Sequence, residues 1–430
     1  MRIGAALPPV EQYRKTVLPS GVAVVTERLP HVRSISAGFW IARGSRDETV
    51  RQNGLSHILE HMAFKGTATR SAREIAHFLE SIGGHLDAFT SKEETCFFAR
   101  ALDEHLPQAL EILTDLVVRP RLAAADLDRE RQVIMEEIKA VDDTPDDLVH
   151  DLLAEALFDG HPLSFPVLGS KENCRRFSAA ELRGFWRRHY SPENFVLAAA
   201  GRLEHQRVVD LWAKHLEKVA AGKPVTSRPP APKPGLVLRT KKTSQAHLCL
   251  GFPGIPATDP DRFALWVLNT VLGGGMSSRL FQRIREQEGL AYSVYSYLDF
   301  YRDTGLLAVY LGVARDRVQS SLALALKEIK RLKLEPLTWD ELSHAKAQIK
   351  GSMMLGLESV THRMFRVART AISGQSFMPL GDTVARIDRI TAGDIGRLAG
   401  KLFRPERLAV SAIGPLPRGR INLDGLRGML

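Results

Sequence analysis

Two histidines and a glutamate stand close together in the run HILEH, as His57, Glu60 and His61, inside the stretch 54–66. On a helix, residues four apart share a face, so both imidazoles can reach one metal ion. Glu60, three residues after His57, lies on the same side, where a carboxylate can take a proton from a water activated by that metal. Catalytic zinc takes three protein ligands and keeps one position open, so a third ligand must come from elsewhere in the chain. The helix expected over 128–141 carries the best candidates. Glu130 and Glu137 are seven apart and share a face, whereas Glu136 is turned away by about 100°. Spacing alone leaves both Glu130 and Glu137 open.

The elements that must position these residues repeat along the chain. The segment AAGKPVTSRPPAPKPG at 220–235 has five prolines and no hydrophobic periodicity, and reads as an extended linker. Before it, alternation predicts strands over 22–27 and 34–41, a helix from about 53, strands over 85–88 and 95–102, and a closing strand over 195–200. After it come strands over 236–239 and 246–252, a helix from about 259, strands over 291–298 and 305–313, and a closing strand over 408–413. The helices over 106–118, 124–141 and 315–332 show apolar residues at three and four spacing. The pattern predicts two similar α+β domains, each a mixed or antiparallel sheet packed by helices and related by an internal duplication. The first, 1–219, carries the metal-binding run, and the second is 236–430.

Composition narrows the class. The 430 residues are 44% hydrophobic and 25% charged, which excludes collagen-like, low-complexity and disulfide-scaffold chains. No apolar run approaches the length of a membrane span, and 1–21 has no long apolar segment, so a cytoplasmic protein is expected with no membrane partner. The three cysteines, Cys96, Cys174 and Cys249, form no CxxC pair and are expected to be buried and reduced. A net charge of +10 is scattered, with clusters at 175–188 and 228–242. Without aromatic interleaving or zinc-finger spacing these read as solvated faces, so no nucleic-acid partner is expected.

HILEH followed by MAFKGT, with Glu137 in RERQVIMEEIK after 75 intervening residues from His61, resembles the inverted zinc-binding motif of the pitrilysin-type (M16) peptidases. That family includes the mitochondrial processing peptidase β subunit and half-length bacterial homologues. The resemblance extends over LPSGVAVVTERLP, GSRDE, GGHLDAFTSKEETCF, the HPL and LG of 161–169, and LGGGMSSRLFQRIREQEGLAYSV. It implies a zinc metalloendopeptidase with one zinc per chain, held by His57, His61 and Glu137, and Glu60 as general base. Glu130 then corresponds to an acidic residue that orients a ligand or the water. The segment 85–91 matches an edge strand that pairs with peptide substrates, placing Asp87, Ala88 and Thr90 against them. Many relatives carry Asn at Asp87, and an ionised Asp can only accept where Asn could also donate. Arg285 and Tyr292 match the pair that contacts the substrate and stabilises the reacting carbonyl. Gly273 to Gly275, with no GxGxxG and no Walker Lys, are expected to form a substrate-contacting or hinge loop. A chain of this length is half of the single-chain relatives. The resemblance therefore implies a homodimer, or a heterodimer with a related chain, enclosing a chamber suited to short or unfolded peptides. The alternative is a non-catalytic or regulatory partner subunit of the same fold, a class that loses zinc residues this chain keeps.

Overall fold

In the computed structural model, which describes residues 12–217, 219, 222, 228–416 and 421–430, strands assemble into two sheets. The first holds β1 (Gln12–Val17), β2 (Ala23–Arg28), β3 (Ser34–Ile41), β4 (His85–Thr90), β5 (Thr95–Leu102) and β6 (Phe195–Gly201), in the order β1-β2-β6-β3-β5-β4. The second holds β7 (Leu236–Thr240), β8 (Ala246–Pro253), β9 (Ala291–Phe300), β10 (Gly305–Val313) and β11 (Ala409–Gly414), in the order β7-β11-β8-β10-β9. Setting β1 aside, the two orders are the same when the strands of each sheet are counted along the chain. The pairing senses match too: β2 with β6 and β7 with β11 are parallel, and every other neighbouring pair is antiparallel. The repeated layout expected from the strand runs is therefore present as repeated topology. β1 is the addition that the hydrophobic pattern does not signal. Its QYRKTV lies at an edge, partly or fully exposed along its whole length, so no alternation marks it.

The first sheet is buried on both faces, which explains why β6, FVLAAAG, is apolar throughout instead of alternating. One face, with Ile35, Phe39, Ile41, Phe97 and Ala99, packs against the helices Leu55–Ala63 and Leu106–Val118. The other, with Val25, Trp40, Cys96, Val196 and Ala198, is covered by Met364, Val367 and Ala368 of the helix Val360–Ile372. In the second sheet, Cys249, Ala308, Tyr310, Ala409 and Ile413 pack against Leu148, Val149, Leu152, Leu153 and Ala156 of the helix Pro145–Phe158. The two compact units consequently do not coincide with 1–219 and 236–430. One gathers the described residues of 1–138, 166–227 and 354–381, and the other those of 139–165, 228–353 and 382–430. The physical reason is burial. Each sheet needs its second apolar surface covered, and the covering helix comes from the far side of the Pro-rich segment.

Of that segment, 228–235 has no regular secondary structure and is laid along the helix Pro145–Phe158. There Lys233 N–H donates to Leu157 O at 3.0 Å and Gly235 N–H to Ala156 O at 2.8 Å. The rest of the expected linker, apart from Gly222, lies outside the described residues. The three cysteines are buried and unpaired. Among the described residues no helix is long and apolar enough to cross a membrane.

Candidate metal centre

The helix Leu55–Ala63 is fixed at its start by a buried acid. Glu48, 2% exposed, accepts from the backbone N–H of Gly54 at 2.8 Å and of Ser56 at 2.6 Å, and from Asn53 Nδ2 at 3.1 Å. A carboxylate is the favoured group at a helix N-terminus, where amides lack intrahelical partners and the dipole is positive. Burial pushes the Glu48 carboxyl up to about 7, against the pull of those bonds. Gly54 has φ +106°, and a Cβ there would meet the Gly169 Cα and Leu168 O at 3.1 Å. This close approach is why the LG of 168–169 and the glycine before HILEH go together. Leu55, Ile58, Leu59 and Met62 anchor the helix in the core.

The side of this helix turned away from those apolar residues brings the expected ligands together. One atom each from His57, His61 and Glu137 lies within 4.8 Å of the others, and among the described residues no other His, Cys, Asp and Glu trio does so. His57 Nε2 is 3.7 Å and His61 Nε2 3.6 Å from Glu137 Oε2. Those gaps are too long for hydrogen bonds but near the ~3.4 Å that separates two ligands of a tetrahedral zinc. Glu137 Oε2 is a buried oxygen with no hydrogen-bond partner, a state that a cation among the three groups would relieve. Burial first, and the neighbouring His61 second, push His57 down to about 3. The imidazole is therefore neutral, the form that ligates. The donor set fits zinc.

Glu130, the other candidate by spacing, is not part of this trio. Its Oε2 lies 3.2 Å from His61 Nδ1, on the side of the ring opposite the ligand nitrogen, and its Oε1 is 2.8 Å from Lys65 Nζ. A metal-bound histidine commonly donates its second N–H to such a carboxylate, which fixes its tautomer.

Glu60 points its carboxylate at the end of β4, where Thr90 Oγ1 donates to Glu60 Oε2 at 2.5 Å. Burial raises the Glu60 carboxyl above the usual range, opposed by the Thr90 bond. β4 is the outer strand of its sheet, paired only with β5 among the described residues, so its other edge is available to an added strand. On it, the Ala88 N–H donates to Asp87 Oδ1 at 2.8 Å, and the Asp87 carboxylate is 57% exposed.

Arg285 and Tyr292 belong to the second unit. Arg285 lies on the π-helical turn Phe281–Gln287, its guanidinium 5.8 Å from the Tyr292 ring centre and 4.9 Å from that of Phe281. Tyr292 is the second residue of β9 and is 76% exposed. Two of the preceding glycines have local packing reasons. A Cβ would lie 2.5 Å from Ser296 N at Gly273, 2.6 Å from Thr270 Cα at Gly274 and 2.9 Å from Gln348 Nε2 at Gly275. The backbone approaches give Gly273 and Gly274 a local reason, whereas at Gly275 the near atom is the end of a flexible side chain that can move.

Comparison with known proteins matches two successive stretches of the chain. The model for Insulinase (Peptidase family M16) matches residues 23–171, which include His57, Glu60, His61, Glu130 and Glu137. The model for the Peptidase M16 inactive domain matches 176–349, which include Arg285 and Tyr292. An uncharacterized zinc protease of Streptomyces coelicolor is 42% identical, covering 94% of this chain and 90% of its own. The chain belongs to peptidase family M16. Another relative, the uncharacterized zinc protease YmxG of Bacillus subtilis, is 41% identical over 92% of this chain and 97% of its own. Among solved structures, a protease from Helicobacter pylori shares the fold with a TM-score of 0.87 at 22% identity, over 94% of this chain and 100% of that one. A chain of Complex III2 from Candida albicans does so with a TM-score of 0.85 at 21% identity, over 97% and 99%.

Two residues of this M16 site lie in runs the resemblance covers, Glu48 in GSRDE and Lys65 in MAFKGT, but the sequence does not disclose their roles. Glu48 acts through backbone amides, which leave no residue type to search for. Lys65, four residues after His61, reveals its partner Glu130 only once the two helices are side by side.

Proposed function

We propose that this M16 chain is a zinc-dependent endopeptidase that hydrolyses short or unfolded peptides bound as an added strand along β4. The observation that supports it best is the pair of Nε2 atoms facing the partnerless Glu137 Oε2, with Glu60 on the same helix and the open edge of β4 beside it. Zinc held by His57, His61 and Glu137, one per chain, supplies a Lewis acid and a water of lowered pKa. Glu60 takes the proton of the attacking water and delivers it to the leaving amine. Glu130, held by Lys65, keeps His61 in one tautomer and orientation. The β4 backbone holds the peptide extended, with the scissile bond brought toward Glu60. Arg285 and Tyr292 donate to the carbonyl oxygen as charge develops on it.

In this reading the chain works as a pair, a homodimer or a heterodimer with a related chain, in the cytoplasm. The second-half residues of one subunit complete the site of the other, and the enclosed chamber excludes folded proteins. Hydrolysis of quenched fluorescent peptides, lost on chelation and restored by stoichiometric zinc, is the expected result. A zinc-loaded protein that cleaves no peptide in a broad library overturns the reading in favour of a non-catalytic partner subunit. A fully active monomer in analytical ultracentrifugation overturns the pairing.

A further inference from the structure

We infer that Thr90 is a positioning residue for Glu60, so that one residue of the substrate-pairing strand sets both the register of the added peptide and the direction of the base. The inference rests on the reading of Glu60 as the base and deepens it. The Thr90 hydroxyl donates to Glu60 Oε2 at 2.5 Å, and among the described residues this is the only hydrogen bond the carboxylate receives. Glu60 sits near the end of its helix on a long side chain, and the helix backbone disfavours one χ1 well without fixing the direction of the carboxylate. Thr90 supplies that selection because it is itself fixed twice. Its β-branched side chain is stiff at χ1, and its backbone is the last pair of the β4–β5 ladder, opposite Thr95. Thr95 is buried in turn, with Oγ1 donating to Arg43 O at 3.0 Å.

The arrangement changes what Thr90 offers a substrate. Its hydroxyl proton is committed to Glu60, so a peptide meets Thr90 through the strand backbone. A peptide that pairs with β4 is then located relative to the same residue that aims the base. The scissile bond and the carboxylate share one reference point, and small errors in placing a base are costly to the chemical step more than to binding.

The test compares the zinc-loaded full chain with Thr90→Val, which keeps the shape and removes the hydroxyl, and Thr90→Ser, which keeps the hydroxyl and loosens χ1. For Thr90→Val the expected result is a kcat lowered about tenfold to a hundredfold, the range for losing a hydrogen bond to a charged group. KM should stay within about twofold and zinc stoichiometry unchanged, because neither the peptide's backbone pairing nor a ligand is touched. Thr90→Ser should recover kcat to within about threefold of the original. An unchanged kcat in Thr90→Val, a loss confined to KM, or a serine variant no better than valine overturns the inference. If the unsubstituted protein binds zinc and hydrolyses nothing, the endopeptidase reading fails, and crystal structures still decide the role of Thr90. A Glu60 carboxylate displaced in Thr90→Val supports it, and one in the same place overturns it.

Discussion

The Nδ1 of His61 lies 3.2 Å from the Oε2 of Glu130, while the Nε2 of the same ring faces Glu137. The two glutamates that share one helix face therefore serve opposite edges of one imidazole, and their substitutions should separate. In Glu137→Gln a proposed ligand is weakened, and zinc should fall well below one per chain by elemental analysis after dialysis. In Glu130→Gln zinc should remain stoichiometric at saturation but bind about tenfold to a hundredfold more weakly, the range for losing a carboxylate behind a metal-bound histidine. Equal losses in the two variants would contradict the division.

Glu60 touches none of the expected ligands, so its removal should separate metal binding from chemistry. Glu60→Gln is expected to keep the zinc content of the unsubstituted chain and to lower kcat for peptide hydrolysis by about a hundredfold to ten-thousandfold, the range for a general base. The measurement is metal stoichiometry and peptide turnover on one preparation. Retained turnover would remove Glu60 from the role.

How far these relationships were legible in the sequence follows from the range over which each acts. The HILEH run is local, since a four-residue spacing fixes a helix face by geometry. The choice between Glu130 and Glu137 was not, because residues seven apart share a face and only the neighbouring helix decides which meets the ligand nitrogens. Strands such as β6 announced themselves by continuous apolar runs, whereas β1, exposed along its length, left no pattern. The helix Val360–Ile372 was not among those the apolar spacing picked out, and nothing in it said that Met364 would cover Trp40 more than 300 residues earlier. That long-range burial is what moved the boundaries of the compact units away from the Pro-rich segment.

At Asp87 the carboxylate accepts the Ala88 N–H, a backbone donor on the strand whose free edge is to receive a peptide. A carboxylate in that place can only accept, and it competes with a peptide carbonyl for the same N–H. Asp87→Asn keeps an accepting oxygen and adds a donor that a carbonyl can use. The expected outcome is a KM lowered about twofold to tenfold, the span of one net hydrogen bond, with kcat within about threefold. Steady-state kinetics on a neutral extended peptide checks it, and a raised KM would show that the carboxylate itself binds substrate.

The raised Glu48 carboxyl should tie the stability of the helix Leu55–Ala63 to pH. A carboxyl with a higher pKa in the folded protein than in the unfolded chain holds more protons when folded between those two values, so folding weakens as pH rises through that window. For Glu48, raised by burial from 4.5 to about 7, the window runs between those values, and the lost stability is on the order of 3 kcal/mol. Glu48→Gln cannot titrate. Its amide also costs a fixed amount, since one of the two accepting oxygens is replaced by a donor facing either the Gly54 or the Ser56 amide. The two contributions separate because only the first depends on pH. The melting temperature of the unsubstituted chain minus that of Glu48→Gln should fall between pH 4.5 and 7 and level off above, measured in chelator so that the pH dependence of zinc binding does not enter. A difference that stays level or rises across the window would mean that the folded protein holds Glu48 ionised throughout, with the helix N-terminus outweighing burial.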